Sequence, residues 1–253
     1  MNAAAITVAP RRAQAAVGLG LAAAVCGAWL SLHVVGMTLI EVRWTTLPLV
    51  VTMAALQCWL SVGLFIVAHD AMHGTLAPGR PRLNGAIGAG LLFLYAGFAW
   101  KRMRGAHFAH HRAPGTADDP DFDADHPRHF GRWYATFLRR YFGWQSGLYV
   151  GTVVTLYWLA FGVPVANIVL LYGLPAIASS LQLFYFGTYR PHRHDDAAFA
   201  DRHHARSEEF GPLASLATCF HFGYHHEHHL NPGVPWWALP AFRRERARAG
   251  AAE

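Results

Sequence analysis

Charged side chains are scarce in this chain of 253 residues. Only 14% of the residues are Asp, Glu, Lys or Arg, whereas soluble domains carry about 25%. Four segments contain no such residue at all, namely 13–40, 44–68, 83–100 and 141–189. Because a helix of about 20 apolar residues is long enough to cross a bilayer, several uncharged runs in one short chain exclude an ordinary soluble domain. They predict an integral membrane protein.

Cysteine is scarce as well, and the redox motifs of soluble enzymes are missing. The three cysteines, Cys26, Cys58 and Cys219, form no CxxC pair, so we interpret them as small core residues rather than disulfides or metal ligands. No dinucleotide-binding fingerprint and no haem or flavin motif is visible. The net charge of +6 does not indicate a nucleic acid partner, because the arginines cluster beside the apolar runs, where they mark the cytoplasmic side of a membrane protein.

The apolar runs and their flanks predict an all-α integral membrane protein with one domain over 1–253. The run 141–189 is divided in two, because Gly162 and Pro164 favour a turn. The stretch 83–99 is short and rich in glycine, and it lies between two histidine-rich segments that must share one side of the membrane. We therefore interpret it as a re-entrant or interfacial segment. Four transmembrane helices are expected, near 14–38, 46–70, 146–161 and 165–187.

The histidine-rich regions, 69–140 and 188–240, are expected to form a cap on the cytoplasmic side. Histidine is abundant, with 17 residues, and three segments repeat one pattern: HDAMH at 69–73, HFAHH at 107–111 and HHEHH at 225–229. Positions i, i+3 and i+4 of a helix share a face, so each segment can direct two or three imidazoles at one point. The eight residues are His69, His73, His107, His110, His111, His225, His228 and His229.

Eight imidazoles are more than one metal ion needs. A tetrahedral zinc site takes three or four protein ligands, so this number predicts two adjacent ions of a metal that imidazole suits: zinc, copper, iron or nickel. His192 in TYRPHRH follows the last predicted span, at the membrane depth of His73, and we expect it to be a ninth ligand. His33, inside the first span, is expected to be a hydrogen-bonded core residue.

Ligating histidines usually donate their second ring N–H to a carboxylate or a carbonyl. We call the three histidine segments the histidine boxes. The residues near them that could support the ligands in this way are Asp70, Asp119, Asp121, His221, His226 and Glu227. For His221 a ligand role is an open alternative, and for Glu227 a surface role. The remaining histidines of the cytoplasmic segments, His126, His129, His203 and His204, are expected to be solvated loop residues.

Three histidine boxes on four spans resemble the membrane fatty acid desaturase and hydroxylase superfamily. Longer sequence motifs around the boxes are more specific, and they are similar to those of the bacterial β-carotene ketolases. These motifs are LFIVAHDAMHGTLAPGRPRLN, HFAHHRAPGTADDPDF, LQLFYFGTYRPHRH and CFHFGYHHEHHLNPGVPWW. The resemblance extends from about residue 59 to residue 240 and covers every box.

The resemblance implies a non-haem di-iron oxygenase that uses two Fe²⁺ ions, O2 and electrons from an external, ferredoxin-like donor. Such ketolases oxidise C4 of a β-ionone ring twice, and the geminal diol then loses water to give a ketone. β-Carotene would yield echinenone and canthaxanthin, and hydroxylated rings would lead to astaxanthin. The family pattern also supports His192 as an additional ligand. The enzyme would be a multi-pass protein of the bacterial inner membrane, with its active site on the cytoplasmic side.

This resemblance also predicts the partners. A carotenoid is insoluble in water, so it would enter from the lipid phase. An acidic electron-transfer protein would suit the arginine-rich cytoplasmic face. Two alternatives use the same scaffold: a carotenoid hydroxylase that stops at the alcohol, and a fatty acyl desaturase. A more remote alternative is a membrane metal-binding or transport protein, although transporters place their ligands near the middle of the bilayer.

Overall fold

The computed structural model describes residues 10–250, and all regular secondary structure in this part of the chain is helical. This confirms the all-α prediction. We number the helices in chain order, and short 3₁₀ turns precede the second and tenth. They are α1 Arg11–Thr38, α2 Leu47–His73, α3 Pro81–Ala96, α4 Trp100–Arg112, α5 Phe130–Tyr141, α6 Trp144–Thr155, α7 Val165–His192, α8 Pro212–Cys219, α9 His225–Leu230 and α10 Leu239–Gly250.

Three helical stretches are long and apolar enough to cross a membrane: Arg11–Thr38, Trp44–His73 and Val165–His192. They coincide with three of the four predicted spans. At the fourth, predicted over 146–161, α6 continues into a π-helical segment at Leu156–Ala160. Most of the large exposed side chains in the middle of these helices are apolar, as a lipid-facing surface requires. Examples are Leu30, Val34, Val51, Leu56, Leu159, Val169 and Ile177.

Helix α7 extends further than the sequence predicted. It includes two π-helical segments, Val169–Gly173 and Tyr185–Tyr189, and ends at His192. The predicted membrane span, near 165–187, lies within this helix, which continues beyond it to His192. His192 lies in the last turn of the helix, not in the segment that follows it.

The segment predicted as re-entrant or interfacial is helix α3, and α4 continues from it at an angle of 98°. The corner between them depends on Gly97, whose φ of +66° is in the left-handed region. A Cβ atom there would also lie 2.6 Å from Cβ of Tyr149. Only glycine meets both constraints without strain. The sharp corner allows α4 to bring the second histidine box beside the end of α2.

Helix α2 occupies the centre of the molecule and packs against α1, α3 and α7. Its segment 60–72 is buried on all sides, as a helix that is apolar around its whole circumference should be. Gly63 of α2 permits a close approach, because a Cβ there would lie 2.6 Å from the Phe220 ring. This burial fixes the helix end that carries the first histidine box.

His33 of α1 is buried and contacts Tyr157, in the π-helical segment after α6, and Tyr172 of α7. Its ring stacks on Trp29 with centroids 4.9 Å apart, and its Nε2 lies 2.6 Å from the Tyr157 hydroxyl. Trp29 in turn donates to Ser61 Oγ at 2.9 Å. The prediction of a hydrogen-bonded core histidine is confirmed.

Candidate metal centre

Five histidines from three helices form the first group of donors. Helix α2 supplies His69 and His73, helix α4 supplies His107 and His111, and helix α9 supplies His228; their donor nitrogens all lie within 4.8 Å of one another. His107 Nε2 is 2.6 Å from His73 Nε2 and 3.1 Å from His111 Nε2. His111 Nε2 is 3.0 Å from His228 Nε2.

Four further histidines form the second group. They are His110 of α4, His192 at the end of α7, and His225 and His229 of α9. His229 Nε2 lies 3.1 Å from His110 Nε2 and 3.0 Å from His225 Nε2, and His225 Nε2 lies 2.9 Å from His192 Nε2. The structure thus brings all nine predicted ligands together in two adjacent groups.

The helical repeat explains how the boxes divide between the two groups. Residues four apart lie above one another on a helix, and each i, i+4 pair faces one group: His107 with His111, and His225 with His229. Neighbours in sequence point about 100° apart. His110 therefore faces the second group while His111 faces the first, and His228 and His229 divide in the same way.

The donor geometry fits bound metal ions. A neutral imidazole has one N–H and one acceptor nitrogen, so four or five Nε2 atoms that converge on one point cannot satisfy one another by hydrogen bonds. Nitrogen ligands bound at about 2.1 Å lie roughly 3.0 to 3.4 Å apart when they are adjacent around an ion. Most of the observed separations, 2.9 to 3.1 Å, agree with this spacing.

The histidines of α9 are held in the form that binds metals. Burial, followed by the charge that neighbouring imidazoles would carry, lowers the pKa of His225, His228 and His229 well below the usual value. These rings are therefore neutral at neutral pH, and the neutral imidazole is the ligand form.

A buried carboxylate orients one ligand of the second group. Asp119 accepts a hydrogen bond from His110 Nδ1 at 2.9 Å, which leaves Nε2 of that ring available as a donor to a metal ion. Asp119 also accepts from the backbone N–H groups of Gly115 and Asp121, each at 2.8 Å. Asp121 has a carboxylate oxygen 3.8 Å from the same His110 nitrogen and accepts a hydrogen bond from the Tyr141 hydroxyl. These two acidic residues also form, with His110, a third cluster of possible donor atoms.

A backbone carbonyl orients a second ligand, and sequence reasoning missed it. His192 Nδ1 donates to the carbonyl oxygen of His204 at 2.8 Å. The loop is fixed at this point, because His204 Nδ1 donates to the Pro114 carbonyl at 3.0 Å. His203 is half-buried too, with its ring 6.0 Å from that of His229. Both residues lie in a loop, as expected, but they are half-buried rather than fully solvated. No side-chain pattern could have revealed a role carried by a carbonyl group.

Four residues predicted to support the ligands make no hydrogen bond to any of the nine. Asp70 approaches His69 Nδ1 only to 3.8 Å, and its carboxylate accepts from the backbone N–H of Trp236. Glu227 accepts from the Ser207 hydroxyl, and His226 pairs with Asp201 at 2.8 Å. The fourth residue is His221, which stacks against Tyr224 and Trp236. Glu227 and His226 point away because they occupy the other side of α9.

Aromatic side chains close the two donor groups, but to different degrees. Phe222 lies 4.7 Å from the His69 ring and 4.8 Å from the His225 ring, measured between centroids. It packs against Gly187 of α7, where a Cβ would lie 3.1 Å away. All four histidines of the second group are buried, whereas in the first group three rings reach the surface in part. These three are His73, His107 and His111.

Comparisons with known proteins identify the family of this chain. The family model described as fatty acid desaturase matches residues 43–150 and 146–253. The chain belongs to this family, and within it to the β-carotene ketolases. Two proteins named beta-carotene ketolase, from two Paracoccus strains, are 49% and 51% identical over 92% of this chain and 95% of their own length. A zeaxanthin 4-ketolase of Chlamydomonas reinhardtii is 35% identical over 90% of this chain and 53% of its own length. The resemblance predicted from the sequence is confirmed.

Proposed function

We propose that this chain is a di-iron membrane oxygenase that converts the C4 methylene of a β-ionone ring of β-carotene to a ketone. The observation that carries the proposal is the convergence of nine imidazoles into two adjacent groups, in a chain about half identical to proteins named beta-carotene ketolase. Five imidazoles would hold one ion and four the other. Iron is among the metals that imidazole suits.

The reaction requires an oxidant that the side chains do not provide. Two bound iron ions would supply the power to activate O2 and break an allylic C–H bond, which no acid, base or nucleophile of the chain can do. Each hydroxylation consumes one O2, two electrons and two protons; one oxygen atom enters the substrate and the other leaves as water. Two rounds give a geminal diol, and loss of water gives the ketone.

The chain's own residues would hold and shield this centre. Asp119 and the His204 carbonyl keep the Nδ1 protons of His110 and His192, so that Nε2 of each ring is free to bind metal. Phe222 fills the space between helix α7 and the two donor groups, and it would keep water out of that space. A carotene is apolar throughout, so its route to the centre would lead from the lipid phase, past such apolar side chains.

The same proposal includes a membrane arrangement. Helices α1, α2, α6 with its π-helical continuation, and α7 would make four crossings, with α3 and the corner at Gly97 lying near the interface. The histidine boxes and the arginine-rich flanks would then face the cytoplasm of a bacterial inner membrane. Arginines at Arg11, Arg80 and Arg139 are exposed beside helix ends, which supports this orientation.

Pigment analysis tests the proposal directly. We expect cells that accumulate β-carotene to form keto-carotenoids when they express this chain with a suitable reductase. The His110→Ala variant should form none, and His129→Ala, at an exposed position away from both groups, should match the unmodified chain. Alcohols without ketones would identify a carotenoid hydroxylase, and newly unsaturated acyl chains a desaturase. Zeaxanthin-accumulating cells extend the test to hydroxylated rings, which the similarity to a zeaxanthin 4-ketolase supports.

A further inference from the structure

One side of α4 carries exposed positive charge and no negative charge. Lys101, Arg104 and Arg112 are exposed, and Phe108 lies half-buried among them at helical spacing. Helix α4 contains no Asp or Glu. Within residues 10–250, no ion pair includes any of these three basic residues. We call this surface, formed by Lys101, Arg104, Phe108 and Arg112, the α4 basic face.

The α4 basic face covers the less buried of the two donor groups. The guanidinium of Arg104 lies 4.6 Å above the centroid of the Phe108 ring. The Phe108 ring also lies 5.4 Å from the ring of His73. A molecule seated on this face would therefore contact an aromatic side chain that packs directly against a histidine of the first group. The second donor group has no comparable exposure, because its four histidines are all buried.

We propose that the α4 basic face is the docking surface for an acidic protein that carries one electron at a time. This inference rests on the proposed function, in which each hydroxylation consumes two electrons that no group of the chain supplies. The reduced carrier would give up one electron and leave oxidised, so two encounters would support each hydroxylation and four each ketone. The protons would come from water. Charge complementarity fits an acidic partner and would speed its encounter with this face.

The composition of the face favours a protein partner over the membrane surface. A helix that lies on a bilayer inserts large apolar side chains between the lipids. Helix α4 has none among its exposed residues, since Phe108 is half-buried. Exposed aromatic residues that suit the membrane interface include Phe142 and Trp144, which follow α5 and lie near Arg102 in the first turn of α4 rather than on the α4 basic face. The α4 basic face is thus built for an aqueous contact.

The test compares two double variants of the holoenzyme, first in nanodiscs of zwitterionic lipid and then in nanodiscs that contain anionic lipid. The first is Lys101→Gln with Arg112→Gln, which removes two charges of the face without touching Arg104 or Phe108. The control is Arg246→Gln with Arg248→Gln, which removes two exposed arginines from α10. The probe is an acidic [2Fe–2S] ferredoxin. Its Kd is measured on iron-loaded and on iron-free protein, and its KM is measured with β-carotene as substrate.

We expect the first variant to raise both Kd and KM for the ferredoxin about fivefold, since exposed charge pairs contribute modestly and are screened by salt. Added salt should weaken binding of the unmodified protein more than that of the variant. Ferredoxin-driven turnover should fall relative to dithionite-driven turnover of the same variant. The control should keep the Kd of the unmodified protein.

An unchanged Kd in the first variant, or an equal change in the control, would overturn the docking proposal. The proposal would also be overturned if the first variant lost turnover only in anionic nanodiscs and lost it equally with ferredoxin and with dithionite. The face would then contact lipid headgroups. Failure of the proposed function is distinguishable, since the unmodified protein would then form no keto-carotenoid with either reductant while the Kd could still be measured.

Discussion

Replacing Asp119 by alanine should weaken the second donor group while leaving the first in place. The carboxylate accepts three hydrogen bonds, from His110 Nδ1 and from the backbone N–H groups of Gly115 and Asp121. Asp119 is 2% exposed, so water replaces the lost acceptor poorly. The His110 ring would lose its orientation, and two buried backbone donors would lose their partner.

The magnitude follows from these contacts. Removal of a carboxylate that orients a metal-bound histidine typically lowers metal affinity about 10- to 100-fold, which corresponds to roughly 1.4 to 2.7 kcal/mol. Each orphaned buried N–H group costs about 1 to 3 kcal/mol, and this cost falls on the loop that follows α4. The ligands of the first group do not contact Asp119, so binding there should change little.

Iron content and calorimetry of purified protein would measure the effect. At limiting free iron we expect about two ions per chain in the unmodified protein and about one in Asp119→Ala. Asp119→Asn keeps an acceptor oxygen and should fall between the two. Asp118→Ala is the matched control, because Asp118 is the exposed neighbour in the sequence. Two tightly bound ions in Asp119→Ala, or an equal loss in Asp118→Ala, would refute the role assigned to this carboxylate.

Three further outcomes are expected. Gly187→Ala should reduce activity and iron content, because its Cβ would lie 3.1 Å from the Phe222 ring and displace that ring towards the ligands. The control is Gly27→Ala, whose Cβ would have no atom within 4 Å, and equal activity of both variants would contradict this packing. His33→Ala should keep most of its conversion of β-carotene in cells, since the His33 ring forms a hydrogen bond with Tyr157 and is not one of the nine converging histidines. It should instead lower the midpoint of thermal unfolding, and complete loss of ketones in well-folded protein would be inconsistent with a core role. An iron chelator should lower the thermal midpoint of the detergent-solubilised protein, because ions that bind only the folded state stabilise it; an unchanged midpoint after iron removal would show that the donor groups do not depend on metal.

The convergence of the nine histidines could be predicted from the sequence, because their chemistry and their spacing are both local. The i, i+4 pairs, such as His69 with His73, follow from the helical repeat alone. The long uncharged runs likewise follow from the thickness of a bilayer. Neither property depends on how distant parts of the chain pack.

Other parts of the centre depend on tertiary packing and could not be predicted. The spacing of HFAHH does not say that His110 and His111 belong to different groups, since that depends on where α7 and α9 lie. The carbonyl of His204 leaves no mark in the sequence. His226 and Asp70 are close to ligands along the chain, yet their partners, Asp201 and the backbone of Trp236, come from other segments.

The π-helical segment Tyr185–Tyr189 sets the direction in which His192 points. A π-bulge holds one more residue than the corresponding α-helical turn, and one residue corresponds to about 100° of α-helical rotation. Deleting a single residue from this segment would let the helix relax to a regular α-helix, with its apolar surface and overall length almost unchanged. The same deletion would turn His192 away from the second group. The π-helical turn therefore sets the rotation of the residues that follow it, so a change in backbone register alone would be enough to remove His192 from the second group.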